Sequence, residues 1–258
     1  MTAEYLSVTE IPGARASKEQ IERLHHRYHF AASFCRDKDV LEVACGAGLG
    51  LGCLAGVARS VVAGDIDPKV LAFAKRRYKG QPNIEIRRLD AQSLSFPDAH
   101  FDVILLFEAV YYLPQPEKFL DEARRVLRKG GRLLISTVNK DWPDFNPSPF
   151  SVGYYSILDL FALLEPRFGR IEAYGAFPIE RESLRDRLTS RLKRTAVSLR
   201  LMPKTMKGKE FFKRIFFGRL VTIPAEIGNC PGHFKQAQSL PAKSSSRSHK
   251  IIYVVAHC

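Results

Sequence analysis

The sequence predicts an α/β fold, a doubly wound, seven-stranded, mostly parallel sheet with helices on both faces. Three observations carry that expectation. Between Val40 and Val138, short apolar runs alternate strictly with stretches at helical spacing, the pattern of repeated strand–helix–strand crossovers. A small-residue turn follows the first run directly, in Val40-Leu41-Glu42-Val43-Ala44-Cys45-Gly46-Ala47-Gly48. The first three runs also end in acids, Glu42, Asp65 and Asp90. One Asp at a strand end is most often a turn residue, so the repetition carries the weight.

Taken in order, Ser17-Lys18-Glu19-Gln20 has the form of a capping box. The helix it opens is expected to run through Phe34, with Ile21, Leu24, Tyr28 and Ala31 on its apolar face. The glycine turn then joins a strand to a helix expected over 48–58, an arrangement that brings a ligand to backbone N–H groups. A Cβ at the glycines would obstruct both turn and ligand. The spacing argues against a dinucleotide fingerprint: counting from Gly46, the sixth position is Leu51, and Gly50-Leu51-Gly52-Cys53-Leu54-Ala55 fits the pattern but begins about one helical turn too late for the strand-to-helix turn. Glu42 would also repel a pyrophosphate, whereas it suits a cation.

Ser60–Asp65 reads as a second buried strand, with Asp65 about 20 residues after the glycines, where a carboxylate takes ribose hydroxyls. Asp67 and Pro68 read as N-cap and first residue of a helix ending near Tyr78. Ile84–Leu89 is the third strand, and Phe101–Phe107 is apolar throughout, as a central parallel strand is. A helix follows from Pro116, with Phe119, Leu120, Ala123 and Val126 periodic and Gly130-Gly131 at its stop. Gly131–Val138 is the fifth strand. The aromatic, proline-rich stretch from Asn139 to Tyr155 follows a strand end on the ligand side, so Trp142 and Tyr154 are expected to line an acceptor pocket. A helix over 156–164 and a strand over 170–175 come next. Ile251–Ala256 is read as the last strand, antiparallel and at the sheet edge.

The formal charge of +13 is local. Between Arg181 and Arg219 stand 13 Lys/Arg and 3 acids. Leu184, Leu188, Leu192, Ala196 and Leu199 form a stripe there, and Phe211-Phe212-Lys213-Arg214-Ile215-Phe216-Phe217 interleaves aromatics with bases. The expected organisation is therefore an N-terminal lid-helix region (1–37), a core (38–177), a basic, mainly helical insertion (178–249) and a final core strand (250–258). No apolar run approaches a membrane span of roughly 20 residues. Met1 to Gly13 has no signal-peptide pattern. The 5 cysteines show neither a disulfide framework nor metal spacing, and no metal is expected. A cytoplasmic protein is expected, with the basic segment allowing peripheral contact at the inner membrane face.

Glu42-Val43-Ala44-Cys45-Gly46-Ala47-Gly48 resembles the first motif of the class I S-adenosylmethionine-dependent methyltransferases, of the small-molecule "type 11" kind. The end of the fourth strand, Phe107-Glu108-Ala109-Val110-Tyr111-Tyr112-Leu113-Pro114, is similar to the family's fourth motif. The resemblance spans about Ser17 to Phe177, plus the last strand. It implies a Rossmann-like methyltransferase fold and S-adenosylmethionine as cofactor. It implies cofactor contacts at Tyr28, Glu42, Ala44, Gly46, Gly48, Asp65, Ile66, Asp90, Ala91 and Phe107. Glu42 would face the ammonium, Asp65 the ribose and Asp90 the adenine amino group, while Arg27 and Tyr28 reach toward the methionine carboxylate. Candidates for acceptor chemistry are Glu108, Tyr111 and Tyr112, with His25, His26 or His29 from the lid helix as further bases.

Three readings follow. The first is transfer to a small-molecule, glycan- or lipid-linked acceptor, at oxygen. The second is a nucleic-acid, in particular RNA, methyltransferase binding phosphates through the basic insertion. The third is a non-catalytic binding module. The Pro-Pro-aromatic signature of base-amino methylation is missing at 107–110, which counts against that form of the second. The intact acids and glycines count against the third. Clustered Phe among Lys/Arg suits a headgroup layer or an acidic lipid-linked acceptor better than a phosphate backbone. The other reading of both stretches is a pocket lid, folded back with Leu and Phe buried against the core and the charges solvated.

Overall fold

The computed structural model describes residues 10–179, 220–228, 236–242 and 245–258. The two basic amphipathic stretches expected between Arg181 and Arg219 lie outside them, as does most of the expected helical insertion.

A short strand β1 (Arg15–Ala16) leads into α1 (Lys18–Cys35). Ser17 caps α1 with the full reciprocal box: its hydroxyl accepts from Gln20 N at 3.1 Å, and Gln20 Oε1 accepts from Ser17 N at 2.9 Å. The sheet is then built by β2 (Asp39–Val43), α2 (Leu51–Ala55), β3 (Ser60–Asp65), α3 (Pro68–Arg77), β4 (Ile84–Arg88) and β5 (Phe101–Phe107). It continues through α4 (Pro116–Val126), β6 (Leu127–Val138), α5 (Ile157–Leu164) and β7 (Arg170–Pro178). The chain closes with β8 (Val221–Thr222), β9 (Gln238–Leu240) and β10 (His249–His257).

Among the described residues, the main sheet has eight strands in the order β4-β3-β2-β5-β6-β10-β7-β9, one more than expected because Gln238–Leu240 adds to the edge. The first five strands in that order are mutually parallel. The placement of the last strand at the edge is corrected: β10 lies between β6 and β7 and runs antiparallel to both. Its residues 251–256 are all buried, which is what coverage on both faces requires. Within the expected insertion, the described residues form β8 and β9 rather than helices. β8 pairs with β1, so the returning chain buttresses the start of α1.

Alternation along β5 divides the core. Ile104 and Leu106 face α4 and α5 through Phe119, Leu120, Ala123 and Leu160. Val103, Leu105 and Phe107 face α1, α2 and α3 through Leu24, Tyr28, Leu51 and Leu71. The helix expected over 48–58 contracts to α2, since Gly48 sits at φ +73 and Gly56 closes the turn. Gly48 is small for packing reasons, because a Cβ there would lie 2.8 Å from Ala74 Cβ of α3. Cys53 is disulfide-bonded, a bond that the cysteine spacing, with no disulfide framework in it, does not reveal. Among the described residues, no helix is long and apolar enough to cross a membrane.

Candidate active site

The order of winding reverses between β2 and β5, and the crevice beyond strand ends at such a point is where open α/β sheets bind ligands. A cavity of about 430 Å³ lies there, roofed by α1.

The turn after β2 forms its floor, with Ala44 and Gly46 both at φ +56. Gly46 N donates to Asp65 Oδ2 at 3.0 Å, and Asp67 N donates to Asp65 Oδ1 at 2.9 Å. The acid at the end of β3 thus fixes the turn after β2. Burial raises the Asp65 pKa, and the two N–H donors oppose the rise. Farther along the wall, Ile66 is 45 % exposed, an apolar surface left open beside Asp90 and Ala91. Asp90 Oδ1 accepts from Gln92 N at 2.9 Å.

Glu42 is buried at the end of β2, and the Tyr28 hydroxyl of α1 donates to its Oε1 at 2.6 Å. Its Oε2 is buried with no hydrogen-bond partner among the described residues. Burial pushes the pKa up to about 7, against the hydrogen bond from Tyr28 and the charge of Arg27. Tyr28 reaches this position because position 50 is glycine: a Cβ there would collide with the tyrosine ring. The Phe107 ring supports Tyr28 edge-on at 5.6 Å.

The far end is set by the turn after β5. Glu108 adopts φ +49, and its carboxylate accepts from Tyr111 at 3.2 Å and from the Ser136 hydroxyl at 3.4 Å. Burial raises its pKa, while Arg27 and Arg23 oppose the shift. Tyr112 stacks edge-on against Tyr111 at 4.6 Å. Arg27, next to Tyr28 on α1, is paired with Glu10.

Of the residues singled out in the sequence, Tyr28, Glu42, Ala44, Gly46, Asp65, Ile66, Asp90, Ala91, Phe107, Glu108, Tyr111 and Tyr112 line this one cavity. Gly48 faces α3 instead. Trp142 and Tyr154 stand behind the wall: Arg23 lies 5.9 Å from the Trp142 ring, and Tyr154 packs on Tyr111 at 5.0 Å. Glu10, Gln20, Arg23 and Tyr253 also line the cavity, and no sequence motif marks them as site residues.

Residues 41–135 match the family model described as a methyltransferase domain. The chain is 35 % identical to a probable S-adenosylmethionine-dependent methyltransferase of Mycolicibacterium smegmatis, over 60 % of this chain and 61 % of that one. It is 38 % identical to another of Mycobacterium tuberculosis, over 44 % and 40 %. The chain therefore spans less than two thirds of these relatives' length. Other relatives are a demethylmenaquinone methyltransferase of Clavibacter sepedonicus (35 % identity, 37 % of this chain and 39 % of that one) and a fatty-acid O-methyltransferase of Mycolicibacterium smegmatis (38 %, 42 % and 41 %). The fold matches the YcgJ protein of Bacillus subtilis at a TM-score of 0.58 and 18 % identity, over 91 % of this chain and 98 % of that one. Residues 41–135 thus carry a methyltransferase domain of the class I S-adenosylmethionine-dependent family, whose cofactor is S-adenosylmethionine.

The residues present fit that cofactor. A buried carboxylate oxygen left without a donor is costly unless a partner arrives. Glu42 Oε2 is such an oxygen, in the wall of a cavity, and an ammonium group is the partner it suits.

Proposed function

We propose that this chain transfers the methyl group of S-adenosylmethionine to a hydroxyl oxygen of an apolar small-molecule or lipid-linked acceptor. The observation that carries this reading is a single cavity joining the unpartnered Glu42 oxygen to an end walled by Phe107, Tyr111, Tyr112 and Tyr253. In this reading Glu42 and Tyr28 hold the ammonium end, Asp65 the ribose, and Ile66, Asp90 and Ala91 the adenine. Bound S-adenosylmethionine supplies an electrophilic methyl carbon on a sulfonium. The protein's part is alignment of the acceptor at about 3–3.5 Å and exclusion of water. Glu108 and Tyr111 are assigned to orienting the acceptor, with Tyr112 closing the wall.

An apolar acceptor is supported by the rim as well as by the walls. Val152 N donates to Tyr111 O at 2.8 Å, which fixes the exposed Phe150 and Val152 segment beside the cavity. Relatives named for demethylmenaquinone and fatty-acid methylation point to the same acceptor class. The basic stretch from Arg181 to Arg219 would draw the protein to an anionic membrane surface, where such acceptors reside. The test is incubation of the protein with methyl-labelled S-adenosylmethionine and separated lipid, polar and RNA extracts, read by mass spectrometry. Label in an apolar hydroxyl compound supports the reading; label confined to RNA overturns it.

A further inference from the structure

Tyr253 and His26 form a buried pair against the acceptor end of the cavity, and the assignments above leave it unused. Tyr253 lies in β10, 1 % exposed, and lines the cavity. Its hydroxyl is 2.7 Å from Nδ1 of His26, itself 7 % exposed on α1. Register places the pair beside the turn after β5: Tyr253 is opposite Ser136 of β6, and Ser136 is opposite Phe107, the residue before Glu108. Packing fixes both rings, with Phe30 at 4.6 Å from Tyr253 and Phe177 edge-on to His26 at 5.3 Å. A phenylalanine would satisfy that packing. A buried hydroxyl and a buried ring nitrogen instead each need a polar partner, and Tyr253 and His26 Nδ1 lie within hydrogen-bond distance of one another.

We propose that Tyr253 and His26 are a proton relay that takes the acceptor's hydroxyl proton; this rests on the methyl-transfer reading. The acceptor proton passes to the Tyr253 oxygen while the Tyr253 proton passes to His26 Nδ1. The electron pair of the broken O–H bond stays on the acceptor oxygen, which bonds the methyl carbon as that carbon's bond to sulfur breaks. The sulfur keeps its pair, and the imidazolium later releases its proton to water. Tyr253 is the catalytic residue and His26 acts through it.

Glu108 is nearer the turn, and burial raises its pKa against the charges of Arg27 and Arg23. Both of its oxygens already accept, however, from Tyr111 and from Ser136, so neither stands open to the acceptor hydroxyl as the Tyr253 oxygen does. Burial raises the phenol pKa of Tyr253, so it exchanges one proton for another rather than standing as a phenolate. Among the described residues, the charged groups that act on Tyr253 are Glu108 beyond β5 and Arg27 and Arg23 of α1, with Glu10 paired to Arg27.

The first test needs no acceptor. NMR on protein labelled at the histidine ring nitrogens should find His26 Nδ1 unprotonated at neutral pH, with its resonance shifted in Tyr253→Phe. A proton on Nδ1 overturns the relay, since the hydrogen bond would then point the wrong way. The second test uses a hydroquinone probe, menadiol. Tyr253→Phe and His26→Gln should each lower kcat by about 100-fold or more, the scale of general-base catalysis, while KM and S-adenosylhomocysteine affinity hold. The acid limb of the wild-type kcat profile should be lost in His26→Gln and kept in Glu108→Gln. An unchanged limb in folded His26→Gln overturns the relay. Failure of wild type to bind S-adenosylhomocysteine counts against the methyl-transfer reading instead, and the tautomer measurement still separates the two.

Discussion

The Tyr28 hydroxyl donates to Glu42 Oε1 at 2.6 Å, and the same carboxylate's Oε2 is buried in the cavity wall with no partner among the described residues. One half of the carboxylate is thus fixed by α1, and the other half faces the cavity. The arrangement is unfavourable for the empty protein and favourable once a cation arrives.

That imbalance predicts a pH dependence. The Glu42 pKa is about 7 in the fold, against an ordinary value of 4.5. A raised acid favours the fold fully below its unfolded pKa, and the contribution is lost as pH rises through the folded value. Relative to Glu42→Gln, the ligand-free wild type should lose melting temperature between about pH 4.5 and 7. S-adenosylmethionine should restore the loss. Scanning calorimetry of both proteins across that range checks this; parallel curves would contradict it.

Asp65→Asn should weaken S-adenosylhomocysteine binding by about 30- to 150-fold, from the ~2–3 kcal/mol of a charge-assisted contact. Titration calorimetry measures it. Equal affinity in a folded variant would leave Asp65 with only its role of tethering Gly46.

Gly50→Ala tests the approach of Tyr28 without touching the cavity. The added Cβ would collide with the tyrosine ring, so Tyr28 must move off Glu42. A stability loss of about 1–3 kcal/mol is expected in urea melts, as for overpacking elsewhere. Cofactor affinity should fall to the level of Tyr28→Phe. Wild-type affinity would show that the Tyr28–Glu42 bond does not shape the site.

Much of this site was legible because its acids sit at strand ends that periodicity alone locates. Glu42, Asp65 and Asp90 follow apolar runs, and parallel winding carries all three to one edge. Residues contributed by distant segments were not legible. Tyr253 sits in a run that reads simply as a strand, and its meeting with His26, 227 positions away, depends on β10 lying between β6 and β7. The unbroken apolar character of Ile251–Ala256 was the available sign of a central strand. Trp142 illustrates the converse: its loop was located correctly beyond a strand end, but which side chains turn inward is set by packing.

Trp142 should accordingly be dispensable. It lies against Arg23 and Lys250, 5.9 and 5.5 Å from its ring. Trp142→Phe should leave S-adenosylhomocysteine affinity within about twofold, the range of substitutions away from a site. A tenfold loss in calorimetry would bring Trp142 into the binding surface.

The most direct measurement is titration of S-adenosylhomocysteine, with S-adenosylmethionine as competitor, into wild type and Glu42→Gln. The account predicts saturable single-site binding by wild type, displacement by the competitor, and affinity reduced by about tenfold or more in the variant. Absence of binding by folded wild type, or equal affinity in the two proteins, would contradict the placement of the cofactor against Glu42.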